Sequence, residues 1–158
     1  MLHSFGYFTE GANPYGTLFR NAEGVMYGTT WDGGSVNEGV VYELGSAGYR
    51  VLYSFKGGND GANPYSGVAQ DAAGNLYGTT YGGGASNAGV VYKIDASGQE
   101  TVLYTFTGGA DGGYPYAGVV VDSSGNLYGT TYGGGLANCT GGCGVVYEVS
   151  PAGQEKVL

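Results

Sequence analysis

Three aromatic residues recur at equivalent positions and have the surroundings of sugar-binding rings. Trp31, Tyr81 and Tyr132 each follow a Gly-Thr-Thr run and precede a glycine-rich stretch. A ring flanked by glycines can stand exposed and stack on a sugar, while nearby Asn or Asp side chains accept hydrogen bonds from its hydroxyls. Aromatic residues at repeated positions also pack between repeats. The pattern therefore leaves two interpretations, a ligand-binding set and a cover for the gaps between repeats.

A second recurring set is acidic. Glu10, Asp60 and Asp111 occupy equivalent positions in the segments that lead into each repeat. A ring of carboxylates could hold Ca²⁺, which needs several oxygen ligands. However, Asp-Gly shortly before Asn-Pro or Tyr-Pro is also ordinary turn chemistry, and the chain has no dense Asp-x-Asp loop. We count the three acids as candidate ligand-binding residues and predict no cofactor, with calcium as the alternative.

Catalytic side chains are scarce. The single histidine, His3, has no Ser or Cys nucleophile motif around it, so neither nucleophile activation nor a multi-histidine metal site is supported. The glycine runs at 82–84 and 133–135 lack the Lys-Ser/Thr of a phosphate loop. Paired-carboxylate hydrolysis is the enzymatic alternative, but no residue pattern selects it. We predict that the protein is not an enzyme.

The two cysteines lie in one loop. Cys139 and Cys143 have no second pair and no nearby histidine, so the sequence does not support a metal site. The spacing favours a small loop-closing disulfide, which predicts a location outside the cytosol.

The charge balance excludes some partners. The chain carries 5 Lys+Arg against 13 Asp+Glu, a net charge of −8, and an acidic surface repels nucleic acid. No apolar run has the length of a membrane span. The first residues lack the features of a signal peptide, so we expect either a removed export signal or a piece of a longer chain.

The chain consists of three repeats, at residues 2–51, 52–102 and 103–157. Each holds four short runs rich in Val, Tyr, Thr and Phe, joined by Gly and Asp turns, without a helical period. Periods of this length and strand content predict an all-β fold of three four-stranded antiparallel meanders, the pattern of β-propeller blades. Asp71 and Asp122, with Asn21 in the first repeat, are expected to bind backbone amides of the first hairpin turn.

A meander also determines where the loops lie. The tight turns must fall at one end of the sheets, and the long loops with the aromatic and acidic sets must fall at the other. We therefore expect any ligand site on the face formed by the long loops.

The two chain ends predict self-association. The third repeat stops partway through its fourth strand, while the chain begins with the remainder of such a strand. Three blades do not close a ring, and unpaired strand edges pair with other chains. We expect two chains to form a six-bladed ring, or many to form a larger ring or a filament. The residues at these assembly edges are Leu2, His3, Ser4, Phe5, Lys156, Val157 and Leu158.

Several motifs carry a family resemblance. They are Leu-Tyr-Gly-Thr-Thr at 76–80 and 127–131, Gly-Val-Val-Tyr at 89–92 and 144–147, and Val-Leu-Tyr-x-Phe at 51–55 and 102–106. The core pattern resembles NHL-type propeller repeats. The whole unit is more similar to the GloVer tandem repeat of bacterial secreted and surface proteins. The resemblance implies a propeller-like fold and export to a surface, and it supplies no catalytic residues.

Two functional hypotheses follow. The leading one is a non-enzymatic extracellular or surface module that assembles through its open blade edges, with itself as partner. The alternative is a carbohydrate-binding propeller that meets surface glycans through its aromatic loop face.

Overall fold

The protein folds into three four-stranded antiparallel sheets that follow one another along the chain. The computed structural model describes residues 3–6, 8–136 and 142–158. Sheet 1 contains β1 (Phe19–Arg20), β2 (Met26–Thr30), β3 (Val40–Gly45) and β4 (Gly48–Ser54). Sheet 2 contains β5 (Ala69–Gln70), β6 (Leu76–Thr80), β7 (Val90–Ile94) and β8 (Glu100–Thr105). Sheet 3 contains β9 (Val120–Val121), β10 (Leu127–Thr130), β11 (Val146–Val149) and β12 (Glu155–Val157). The prediction of an all-β chain with three meanders is confirmed.

Each sheet is a simple meander, in which every strand pairs with the next one along the chain. The first strand of each sheet has only two residues. The preceding residues contact the neighbouring sheet instead: Thr29 Oγ1 of sheet 1 donates a hydrogen bond of 2.7 Å to the Ser66 carbonyl. Among the described residues, no helix is long and apolar enough to cross a membrane.

The acidic residues before the first hairpin turns bind backbone amides, as predicted. Asp71 Oδ1 accepts hydrogen bonds from the amides of Ala73 and Asn75, both at 2.9 Å. Asp122 repeats this arrangement in sheet 3. Asn21 accepts one such bond in sheet 1, at 2.9 Å. Burial raises the pKa of Asp71, but hydrogen bonds from the Asn75 side chain, the Asn75 amide, the Tyr77 hydroxyl and the Ala73 amide outweigh it and the net pKa is lowered.

The hydrophobic core lies between neighbouring sheets. One cluster joins Val41 and Phe55 to Val68, Tyr92 and Ile94 of sheet 2. A second cluster repeats it one sheet later, with the residues Val91, Phe106, Val119, Tyr147 and Val149. Because each sheet buries its apolar face against its neighbour, the two outer sheets each keep one face without such a cover.

The N-terminal segment packs on sheet 1 without forming a strand. Residues 3–6 have no strand assignment, and Leu2 lies outside the described residues. The described residues 3–6 therefore do not form the predicted edge strand. In sheets 1 and 2, the corresponding residues of β4 and β8 pair with β3 and β7, and residues 3–6 have no such neighbour.

Phe5 nevertheless occupies a position that repeats along the chain. Its ring meets Tyr42 edge-on, with centroids 5.2 Å apart and planes at 67°. The rings of Phe55 and Tyr92 meet at 5.0 Å and 68°, across the junction of sheets 1 and 2. Phe5 therefore contacts sheet 1 as Phe55, which follows the last strand of sheet 1, contacts sheet 2.

A glycine–tyrosine pair lies in the middle of every sheet. Gly78 of β6 pairs with Tyr92 of β7, and the same pairing occurs between Gly28 and Tyr42. The tyrosine lies across the glycine so closely that a Cβ on Gly78 would be 2.4 Å from Tyr92 Oη. Glycine at this strand position leaves space for a buried aromatic ring, which then covers the exposed backbone.

We expect Gly78→Ala to lower the free energy of unfolding by about 1–3 kcal/mol, because the added methyl group has no space beside Tyr92. The measurement is urea-induced unfolding followed by circular dichroism. Gly45→Ala is the matched control, since the Cβ of this strand residue would make only an ordinary contact of 3.4 Å with Val25. Equal destabilisation by the two variants would contradict the packing argument.

Candidate functional site

Six aromatic rings form a continuous row on the face that carries the long loops. Three come from the loops that lead into each sheet, and three follow the second strand of each sheet. We call these six residues the aromatic row: Tyr15, Trp31, Tyr65, Tyr81, Tyr116 and Tyr132.

The rings from the lead-in loops touch one another. Tyr15 stacks on Tyr65 with centroids 5.1 Å apart and planes at 12°. Tyr65 meets Tyr116 edge-on at 4.9 Å. Sequence analysis did not select these three tyrosines. The signal that could have found them is their shared position, since each directly follows the proline of its loop.

The three rings predicted from the sequence, Trp31, Tyr81 and Tyr132, lie beside the tyrosines of the lead-in loops. They are placed at the edges where one sheet meets the next. Trp31 of sheet 1 contacts Tyr65 at 5.4 Å, and Tyr81 of sheet 2 contacts Tyr116 at 5.1 Å. Both are half-buried. Tyr132 contacts Tyr116 at 5.3 Å and is 70% exposed, because none of the three described sheets packs over it. This is the arrangement expected for rings that cover the gaps between repeats.

Backbone hydrogen bonds hold the rings in place. Asn63 adopts a left-handed conformation with φ of 55°, and its carbonyl accepts a hydrogen bond of 3.1 Å from the Tyr81 amide. Its own amide donates to the Glu38 carbonyl at 2.8 Å, and its Nδ2 donates to the Trp31 carbonyl at 3.1 Å. One asparagine therefore joins the loops of two sheets. A hydrogen bond between the Tyr81 and Tyr116 hydroxyls raises the pKa of Tyr116.

The three candidate acids bind their own loops. Asp60 accepts hydrogen bonds from the Tyr53 hydroxyl and from the Lys56 amide, the latter at 2.7 Å. Asp111 likewise accepts hydrogen bonds from the Tyr104 hydroxyl at 3.0 Å and from the Thr107 amide at 2.8 Å. Glu10 accepts from the Gly6 amide at 2.8 Å.

These acids do not converge on one point. Each belongs to a different loop, and Glu10 Oε2 lies 3.9 Å from His3 Nε2. Within the described part of the chain, no group of three or more His, Cys, Asp or Glu side chains is placed to hold a metal ion. The absence of a cofactor stays a prediction, and the calcium alternative has no converging ligand set in these residues.

A buried carboxyl that sequence analysis missed lies beside Asp60. Glu100, the first residue of β8, has a buried Oε1 without a hydrogen-bond partner among the described residues. Burial, followed by the charge of Asp60, raises the pKa of Glu100 to about 7, although Lys56 opposes the shift. Glu155 repeats the arrangement in sheet 3, where burial and then Asp111 raise its pKa.

We expect the protein to lose stability as the pH rises from about 4.5 to about 7. In this window the unfolded chain releases the Glu100 proton while the folded chain retains it, and the loss is complete above the folded-state pKa. Glu100→Gln should remove the Glu100 part of this dependence, leaving that of Glu155, and stabilise the protein at about pH 8 by roughly 1–2 kcal/mol, a value reduced for partial exposure.

Denaturant unfolding at about pH 5 and about pH 8 measures this difference. Glu23→Gln, in an exposed turn, is the control and should keep the pH dependence of the unchanged chain. A Glu100→Gln variant whose stability changes with pH as much as that of the control would contradict the argument.

The outer face of sheet 3 lacks the cover that sheets 1 and 2 have. Val41 and Val91 are fully buried by the following sheet, whereas the equivalent Val146 is 53% exposed. Thr79 is buried and donates to the Ala117 carbonyl of sheet 3 at 2.9 Å, whereas the equivalent Thr130 is exposed. We call this surface the trailing face: Thr130, Tyr132 and Val146.

The outer face of sheet 1 is uncovered in the complementary way. Leu18 is 50% exposed, whereas the equivalent Val68 and Val119 are 8% and 7% exposed against the preceding sheet. Tyr15 is 59% exposed at the same end of the molecule. We call this surface the leading face: Pro14, Tyr15, Gly16 and Leu18.

The remaining predicted site residues are at the chain ends and in the cysteine loop. Lys156 and Val157 form part of β12, and Leu158 follows it with its amide donating to the Val146 carbonyl at 2.9 Å. Cys139 lies outside the described residues, so the disulfide to Cys143 stays a prediction.

A cavity of about 800 Å³ opens on the opposite face, between the tight turns of sheets 1 and 2. Arg20 and Arg50 line it, and Arg50 pairs with Glu43 at 2.9 Å. Sequence analysis expected a site only among the long loops and gave no signal for this cavity.

Comparisons with known proteins agree with the repeats and the fold. The family model of the Gloeobacter/Verrucomicrobia repeat matches residues 1–158. No curated protein matches the chain at a significant level. Nineteen chains of solved structures match it. One is an X-ray structure of a protein described as a gluconolactonase, with 16% identity and a TM-score of 0.53. The match covers 89% of this chain and 45% of that one, so this chain spans about half its length.

Proposed function

Because the chain belongs to the Gloeobacter/Verrucomicrobia repeat family, we propose that it is a propeller module completed by self-assembly. In this proposal the three sheets are blades. The trailing face of one copy packs on the leading face of another, and two copies close a ring of six blades.

The observation that carries the proposal is the change in burial along the repeats. Val41 and Val91 are buried by the next sheet, and the same position in sheet 3, Val146, is open. At each junction within the chain, the buried valine packs in a cluster with a residue equivalent to Leu18. Leu18 itself is therefore the residue that fits over Val146. A second copy presents Leu18 in the place where Val68 and Val119 lie.

The repeats also supply the polar contacts of the proposed junction. Thr29 and Thr79 each donate to a carbonyl of the next sheet, so Thr130 would donate to the Gly16 carbonyl of the second copy. A Cβ on Gly89 would lie 2.8 Å from Pro115 Cδ, which shows how closely each proline packs on the preceding loop. Pro14 of the second copy would pack on Gly144 in the same way.

The N-terminal segment fits the same junction. Phe5 already rests on Tyr42 as Phe55 rests on Tyr92. In the closed ring, His3 and Ser4 would extend the line of β12 of the preceding copy and pair beside β11. This is the split fourth strand predicted from the sequence, formed between two molecules.

The length of the similar solved structure supports a ring made of two copies of this chain. Three sheets of this chain match 45% of a chain with the same fold, so a complete ring of that kind has room for about twice as many sheets. Further repeats on a longer chain would satisfy the same faces covalently. We keep the extracellular or surface location and the non-enzymatic role as parts of the proposal.

We expect the purified chain to have twice its 16.0 kDa mass in light scattering coupled to size-exclusion chromatography. Val146→Lys should raise the dissociation constant at least about 100-fold, because the junction would bury a lysine among apolar residues. Ala96→Lys, in an exposed turn, adds the same charge and should leave the dimer intact. A monomeric unchanged chain would refute the proposal.

Cross-linking tests the head-to-tail geometry. We expect a mixture of Leu18→Cys and Val146→Cys chains to form a disulfide-linked pair under mild oxidation, while each variant alone does not, because different faces meet at each junction. Non-reducing electrophoresis reads the result. Efficient self-linking of either variant would indicate a face-to-face dimer and contradict the ring.

A further inference from the structure

We propose that the groove lined by the first strands of the three sheets and the segments before them binds a neutral saccharide, with Tyr15, Tyr65 and Tyr116 as stacking residues. This inference rests on the proposed ring, which turns the groove of one chain into a channel. It assigns the ligand to the tyrosines of the lead-in loops rather than to the rings that span the gaps.

The groove is a cavity of about 560 Å³ formed by the first strands and the segments before them. Tyr15, Tyr65 and Tyr116 all line it, and their rings are in contact with one another. Tyr116 is 41% exposed, and Tyr15 is 59% exposed in the single chain before a second copy packs on the leading face, so ring surface is open to the groove. Exposed aromatic rings at a concave surface are suited to the apolar faces of pyranose rings.

The lining is uncharged, although the chain has a net charge of −8. None of the described residues that form the groove is acidic or basic. A phosphate or carboxylate ligand would find no cation there, and a cationic ligand would find no carboxylate. The polar groups present are hydroxyls and backbone amides, for example Ser66 and Thr17, and these hydrogen-bond neutral hydroxyl groups.

The floor of the groove is made of backbone because glycines allow the sheets to approach closely. A Cβ on Gly67 would lie 1.9 Å from the Thr17 carbonyl oxygen, and a Cβ on Gly118 would lie 2.9 Å from the Gly67 carbonyl oxygen. The segments that lead into neighbouring sheets therefore approach one another closely, and their backbone forms part of the groove lining. Backbone groups supply fixed hydrogen-bond donors and acceptors for a ligand.

Closing the ring doubles the number of stacking tyrosines from three to six. Tyr15 of one copy would come beside Tyr116 of the other, as Tyr15 now lies beside Tyr65. A saccharide would then contact rings from both copies. We therefore expect the monomeric Val146→Lys variant to bind at least roughly 10-fold more weakly than the ring, since half of the site is missing.

The test is isothermal titration calorimetry of the full chain with three neutral hexasaccharides: cellohexaose, maltohexaose and N-acetylglucosamine hexamer. We expect at least one to bind with a Kd below about 1 mM. The hexamer of glucosamine, which is cationic, is the charge control and should not bind in the groove. Binding of none of the three neutral sugars by a dimeric protein would overturn the inference and leave the assembly proposal standing.

Variants locate the site. Tyr65→Ala combined with Tyr116→Ala should weaken binding roughly 10-fold or more, whereas changing both to Phe should keep it within about 3-fold, because stacking needs the ring. Phe8→Ala is the control for an exposed ring outside the groove. Binding that survives loss of both tyrosines would overturn the inference. Saccharide binding by a monomer would support the groove and refute the ring.

Discussion

The burial of one apolar sheet face against the next sheet is the constraint on which this structure depends. The buried residues of the two core clusters come from both sides of a junction, with Val41 and Phe55 meeting Val68 and Tyr92. Burial of each such side chain contributes about 1.5–3 kcal/mol, so no sheet is well stabilised alone. The same requirement leaves an open face at each end of a three-sheet chain. Exposure of Val146 and Leu18 is thus the direct consequence of the packing that holds the middle of the molecule together.

Close packing also explains why the chain needs so much glycine and tyrosine. The ring of Tyr92 lies across Gly78 and covers its backbone. The backbone at Gly67 lies close to Thr17, which belongs to the segment leading into sheet 1. On the face that carries the glycine-rich loops, the aromatic row runs from sheet to sheet, and the centroids of neighbouring rings are about 5 Å apart. Backbone hydrogen bonds such as that from the Asn63 amide to the Glu38 carbonyl join the loops that carry these rings.

The carboxyl groups divide between two roles that depend on burial. Asp60 and Asp111 accept several hydrogen bonds and organise the lead-in loops, which is a structural use of a charge. Glu100 and Glu155 face them from the fourth strands without equivalent partners, so burial raises their pKa values. Each junction thus contains an acid that is well bound and an acid that is poorly bound. The raised pKa of Glu100 predicts that the contact between sheets 1 and 2 weakens as the pH rises to about 7.

The sequence by itself determined the elements that depend on local chemistry. The repeats, the four strands of each repeat and the turns bound by Asp71 and Asp122 follow from alternation, turn residues and spacing, and the structure contains them. The aromatic residues were only partly predicted: the positions of Trp31 and Tyr81 were found, but their contacts with Tyr65 and Tyr116 were not. Those contacts, the buried Glu100 and the two open faces depend on which sheets become neighbours. Only the tertiary structure decides this, because packing between sheets joins residues from different repeats and a repeat pattern does not state which surfaces remain uncovered.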